Sequence, residues 1–96
     1  MTEAELEREL RALLEERDLY GFHPRVSKGS APGWPDWVVV GRRVLYRELK
    51  SSGGQLTAEQ RRVGWLLRAA GQDWDVWRPR DLHSGHIARE LDQISS

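Results

Sequence analysis

The chain has no cysteine, one methionine and one phenylalanine among its 96 residues, and no excess of either charge, with 15 Lys and Arg against 15 Asp and Glu. Without cysteine there is no disulfide scaffold, thiolate zinc site, iron–sulfur cluster or thiol nucleophile. Its chemistry must come from oxygen and nitrogen groups. No apolar run approaches the roughly 18 residues of a membrane span, and the acidic, helix-prone start is unlike a secretory signal, so a cytoplasmic protein is expected. Ninety-six residues, 39% hydrophobic and 31% charged, give room for one small core and therefore a single domain over residues 1–96. Cores of this size are often completed by a partner, so a homo-oligomer is also expected.

A neutral total argues weakly against a nucleic-acid partner until it is divided along the chain. Residues 1–20 hold 3 basic and 7 acidic groups, residues 21–80 hold 11 and 5, and residues 81–96 hold 1 and 3. The middle is basic and the two ends are acidic.

Leu6, Leu10, Leu13 and Leu14 recur at helical spacing among Glu and Arg, predicting an amphipathic helix from Glu3 to about Arg17 with Thr2 as its N-cap. Asp18 to Pro24 ends it. A short strand is expected around Phe22 to Val26, then a Gly, Ser and Pro-rich loop from Arg25 to Trp34, long enough in so small a domain to suggest function. Trp37 to Val40 and Val44 to Leu49 are β-branched and aromatic runs separated by Gly41-Arg42-Arg43, which reads as a hairpin. Thr57 and Gln60 form a capping-box pattern that opens a helix with Val63, Leu66, Leu67 and Ala70 on its apolar side and Gly71 at its end. Trp74 to Trp77 reads as a strand, Pro79 breaks it, and His86 to Ile94 reads as a last helix with Ile87, Leu91 and Ile94 inward.

The hairpin carries the chemistry. If Gly41 to Arg43 form a three-residue loop, Val40 pairs with Val44, and counting back sets Asp36 opposite Glu48 with Cβ atoms about 5 Å apart on one face. Like charges in that position repel unless a cation lies between them or one is protonated. Strand alternation adds Lys50 to the same face and turns Leu49 the other way. Oxygen-only ligands suit a hard cation, Mg²⁺ or Mn²⁺, which takes a few carboxylates plus water and substrate phosphate. Such an ion acidifies water and neutralises charge on a scissile phosphate, while Lys50 can position or deprotonate the water or stabilise developing charge.

Gly33-Trp34-Pro35-Asp36, then Glu48-Leu49-Lys50, then Leu56-Thr57-Ala58-Glu59-Gln60 and a Trp-bearing helix, then Trp74-Asp75-Val76-Trp77-Arg78-Pro79, together resemble the VRR-NUC family (virus-type replication–repair nucleases) of the PD-(D/E)XK superfamily. The likeness runs from about Glu3 to Asp81. It implies an α/β fold with the αβββαβ nuclease core, a mixed central sheet flanked by helices and, here, an added C-terminal helix. It also implies Mg²⁺- or Mn²⁺-dependent cleavage of DNA phosphodiesters and, for stand-alone members, a homodimer acting on branched DNA such as Holliday junctions, in a phage or bacterial setting of DNA repair. Carried over by position, Asp36, Glu48 and the Leu49 carbonyl would be metal ligands, Lys50 the catalytic lysine and Gln60 the glutamine of the following helix. The family also has an acidic residue on its first helix. Glu3 shares the face of Leu6, Leu10 and Leu13, whereas Glu5 lies roughly 160° away, so Glu3 is favoured with Glu7 in reserve.

Plainer readings stand beside these. Asp36 alone could start a strand, Glu48 with Lys50 could be an exposed ion pair of little worth, and Gln60 could be a helix cap only. Arg25, Ser27, Lys28 and Ser30 form a basic loop ahead of Asp36, expected to contact phosphate, as are some of Arg42, Arg43, Arg61, Arg62 and Arg68. Of five tryptophans, Trp37, Trp65 and Trp74 are expected in the core or a dimer contact, and Trp34 at the substrate. His83 and His86 lack a third nitrogen ligand, and a surface or capping role is expected for both. The alternatives to a structure-selective endonuclease are a flap or nicking nuclease of replication and repair, a DNA-binding module that keeps the fold without catalysis, and an interaction domain using its acidic ends.

Overall fold

A computed structural model describes residues 1–24 and 32–96. The chain runs α1 (Glu3–Glu16), β1 (Tyr20–Phe22), β2 (Trp37–Val40), β3 (Val44–Leu49), α2 (Ala58–Ala69), β4 (Asp73–Trp77), α3 (Pro79–His83) and α4 (His86–Ile94). Thr2 caps α1 through a reciprocal box: its hydroxyl accepts from the Glu5 N–H at 3.1 Å and its own N–H donates to Glu5 Oε1 at 3.0 Å. The helix stops where Asp18 takes a left-handed conformation, φ 51°, one of the few that Asp tolerates.

The strands lie in the order β1-β2-β3-β4, with β1/β2 and β2/β3 antiparallel and β3/β4 parallel. A parallel pair needs a crossover, and α2 supplies it. This is a mixed α/β fold, a four-stranded sheet flanked by helices with a C-terminal helix, compatible with the expected αβββαβ core. The hairpin has the expected register, Val40 against Val44 and Trp37 against Arg47.

Alternation divides the sheet into two faces. Trp37, Val39, Leu45, Leu49 and Trp77 form one core with Leu6, Leu10 and Leu14 of α1 and Ile87, Leu91 and Ile94 of α4. Arg47 shares that face and is also fully buried, its guanidinium 2.6 Å from Glu90 Oε2, 3.1 Å from Asp73 Oδ1 and over the Trp77 ring. On the opposite face α2 packs against Trp74 through Gly64, where a Cβ would lie 2.3 Å from the indole.

Three expectations need correction. The first strand ends at Phe22, and Pro24 cannot extend its ladder because it has no N–H; Arg25 and Val26 lie outside the described residues. Pro79 ends β4 but also opens the short α3, because a first helical position requires no N–H, and Asp81 Oδ2 takes the Arg78 N–H at 2.8 Å. On α2 the closely packed residue is Gly64; Leu66 and Trp65 are 56% and 65% exposed, so Trp65 is not in the core of the chain. No helix among the described residues is long and apolar enough to cross a membrane.

Candidate active site

Asp36 reaches its place through local constraints. Pro32 is followed by Gly33 at φ +88°, the order and sign of a type II turn, and a Cβ on Gly33 would come within 2.4 Å of the Glu59 carbonyl. The turn is therefore seated on the first turn of α2, and glycine alone fits there. Pro35 is buried, and a proline there disfavours a helical conformation at Trp34. Asp36 follows directly and its Oδ2 accepts the Leu49 N–H at 2.9 Å, which ties the carboxylate to β3.

Glu48 is fully buried on the α2 face of β3. Its Oε1 accepts from Gln60 Nε2 at 3.1 Å, while its Oε2 has no hydrogen-bond partner among the described residues. Burial pushes its carboxyl up to about 9. Asp36 adds to the rise by its charge and its capacity to accept the Glu48 proton, Lys50 pulls the other way, and Glu3 contributes a further push. Gln60 closes the helix cap and reaches Glu48 at the same time. Its Oε1 accepts the Thr57 N–H at 2.9 Å and completes the cap, which leaves its amide nitrogen to hold Glu48.

Lys50, half-buried, is two residues beyond Glu48, and its N–H donates to the Trp77 carbonyl at 3.1 Å, continuing the β3/β4 ladder. The turn that follows is clasped by Arg78, whose Nη1 donates to the Ser51 and Gly54 carbonyls at 2.8 and 2.7 Å. Glu3 is exposed at the start of α1, and its charge is felt at Glu48. Glu7 is turned instead to Arg11 at 2.9 Å and to His23 at 3.6 Å.

Trp34 is 46% exposed, edge-on to Tyr46 with ring centroids 6.0 Å apart. Arg61 is exposed beside Gln60 on the first turn of α2, one nitrogen donating to the Leu56 carbonyl at 3.2 Å. Arg42 and Arg43 are not brought to the carboxylates. They occupy the far tip of the hairpin, about 13 Å along β2, where the Arg42 N–H donates to the Ile94 carbonyl at 2.7 Å and Arg43 meets Asp73 at 3.3 Å. Arg62 pairs with Glu59, and Arg68 lies over Trp74. His86 faces Glu90 at 3.0 Å, and His83 is exposed. Arg25, Ser27, Lys28 and Ser30 lie outside the described residues.

Two residues near the site were not anticipated. Arg78 has the signal only of a basic residue after a strand. His23 donates from Nδ1 to the Asp36 carbonyl and stacks on Trp37 with centroids 5.1 Å apart; its one sequence mark is the proline after it.

Among the described residues no three His, Cys, Asp or Glu side chains converge as a ready metal cage. The arrangement is two carboxylates, one with an oxygen buried and unpartnered, which fits a cation that takes one or two carboxylates and completes its shell with water and phosphate. Compared with protein-family models, curated proteins and solved structures, the chain shows no match to any of them.

Proposed function

We propose that this chain is a Mg²⁺- or Mn²⁺-dependent endonuclease that hydrolyses DNA phosphodiester bonds at branched DNA. One observation carries the reading. Glu48 is buried against Asp36 with Gln60 holding one of its oxygens and no described residue hydrogen-bonded to the other. Two buried neighbouring acids are not both ionised cheaply: without a cation Glu48 keeps its proton, and a cation between the two would let it ionise.

In this reading Asp36 and Glu48 hold the cation with the Leu49 carbonyl. Gln60 keeps Glu48 Oε1 occupied, which would leave Oε2 for the cation, and the Leu49 N–H fixes the Asp36 carboxylate. When bound, the cation acidifies a water and neutralises charge on the scissile phosphate. Lys50, on the same face, orients the attacking water or stabilises the charge that develops on the phosphate. Arg61 and Trp34 flank the pair and are placed to meet the phosphate backbone and a base. Recognition through basic groups reads backbone shape, so weak sequence preference and a steep loss of affinity with salt are expected.

A homodimer is part of the proposal, because two strands of a junction need two sites related by a two-fold axis. Tyr20, Phe22 and Val40 share one sheet face by register and are exposed, as are Trp65 and Leu66 on α2. Exposed apolar surface of this kind supports association.

The test is cleavage of labelled four-way junction, flap and linear duplex DNA in Mg²⁺ or Mn²⁺, beside a measurement of mass in solution. Asp36→Ala, Glu48→Ala and Lys50→Ala should each abolish cleavage while leaving fold and DNA binding in place. Full activity in any of the three, or undiminished activity in EDTA, would remove the mechanism. Salt-sensitive DNA binding by the wild type without cleavage would instead favour a non-catalytic DNA-binding module.

A further inference from the structure

The Asp36 carbonyl lacks a ladder partner for a reason written in the sequence. Tyr20 pairs with Val40 and Phe22 with Val38. Two more residues along this register set Pro24 against Asp36, and proline has no N–H to give. A ladder cannot close on the residue that precedes β2. The His23 imidazole takes the place of the missing amide, its Nδ1 donating to the Asp36 carbonyl. Because a carbonyl only accepts, Nδ1 must carry the proton.

The imidazole has two further neighbours. It lies nearly flat on Trp37, with 12° between the ring planes. Its Nε2 is 3.6 Å from Glu7 Oε1, and the same oxygen accepts from Arg11 at 2.9 Å. Arg11 in turn sits over Trp37, 4.9 Å from the ring centroid. Asp36 is thereby fixed at two points, its carboxylate by the Leu49 N–H and its carbonyl by His23.

We propose that His23 is a positioning residue for the candidate cation site: its Nδ1–H replaces the amide that Pro24 cannot provide and thereby fixes the backbone that aims the Asp36 carboxylate. The inference rests on the reading of Asp36 and Glu48 as cation ligands. Groups that orient a ligand from behind typically affect metal affinity by about 10- to 100-fold.

The test is direct Mn²⁺ binding, by calorimetry or by the loss of the free-ion electron paramagnetic resonance signal, on the whole chain without DNA. His23→Phe keeps an aromatic ring against Trp37 but has no donor. His23→Asn places an amide N–H near the position of Nδ1. His23→Phe is expected to weaken Mn²⁺ binding by about 10-fold or more with its thermal midpoint in EDTA near that of the wild type, and His23→Asn to recover most of the affinity. Equal Mn²⁺ binding by wild type and His23→Phe would overturn the positioning role and leave the cation site standing. Equal losses in Phe and Asn would overturn it as well, since the donor would not be what matters. Wild-type protein that binds no Mn²⁺ would overturn the cation site, and the role of His23 with it. Should His23→Phe fail to fold, His23→Asn against His23→Gln makes the same comparison, because Gln carries its amide near Nε2; equal Mn²⁺ affinity in those two would overturn the proposal.

Discussion

A carboxyl with no exposed surface, a neighbouring acid and one oxygen without a partner among the described residues makes Glu48 a destabilising residue in the cation-free protein. Its proton is released near 4.5 in the unfolded chain and near 9 in the folded one. Between those values the folded state keeps a proton that the unfolded state has lost. Stability in EDTA should therefore fall as pH rises from about 4.5 towards 9. Glu48→Gln removes the titration and keeps the shape. At pH 8 in EDTA it should be more stable than the wild type by several kcal/mol, while at pH 4.5 the two should be nearly equal. Urea denaturation at the two pH values measures both. Mg²⁺ should raise the midpoint of the wild type and leave that of Glu48→Gln nearly unmoved, since only a cation that binds the folded state stabilises it. A gain in stability coupled to loss of cleavage would mark Glu48 as retained for function.

At the scale of elements, the site depends on how closely α2 lies on the sheet. Gln60 reaches Glu48 from the first turn of α2, and Gly64, one turn further on, allows the helix to rest on the Trp74 ring. Gly64→Ala puts a Cβ within 2.3 Å of that ring, and a helix with no room to yield must lift or tilt. The expected cost is about 1–3 kcal/mol together with a loss of Mn²⁺ affinity, because the Gln60 amide withdraws from Glu48. Gly53→Ala is the control, since no atom lies within 4 Å of its added Cβ. Denaturation and Mn²⁺ titration of the two variants separate the effect of packing from that of removing glycine. The elements were largely legible in sequence because their signals are local: the Thr2 cap, the Thr57–Gln60 capping box, the hairpin loop, and the spacing of Ile87, Leu91 and Ile94 in α4. The apolar side of α2 was misread. The residue that seats the helix is a glycine, which carries no hydrophobic signal, and Leu66 and Trp65 on either side of the seam are left facing out.

The whole molecule closes around a charged group. Arg47 is fully buried and binds Glu90 of α4, Asp73 of β4 and the Tyr46 and Asp73 carbonyls, while Glu90 Oε1 accepts the Trp77 indole N–H at 2.8 Å. One acid thus joins the C-terminal helix to β3 and to the edge strand β4. Glu90→Ala leaves a buried guanidinium with half its compensation, and a loss of about 3 kcal/mol is expected in urea denaturation. Glu90→Gln retains the hydrogen bonds without the charge and should lose less. The same closure orients the ends of the sheet. It docks the hairpin tip, with Arg42 and Arg43, against the C-terminus of α4, at the opposite end from Asp36 and Glu48.

The sequence by itself determined β2, β3 and β4, the N-caps of α1 and α2 and the hairpin register, because each is set by residues a few positions apart. That register alone places Asp36 opposite Glu48, and strand alternation adds Lys50 to their face. It could not determine what surrounds them. The burial of Glu48, the grip of Gln60, the His23 imidazole behind Asp36 and the separation of Arg42 and Arg43 from the acids all involve groups brought together across the fold. Hydrogen bonds and desolvation act over a few ångströms of space, whereas sequence spacing reports only neighbours along the chain. Tertiary structure alone decided that one of the two acids would be buried, with one oxygen unpartnered among the described residues.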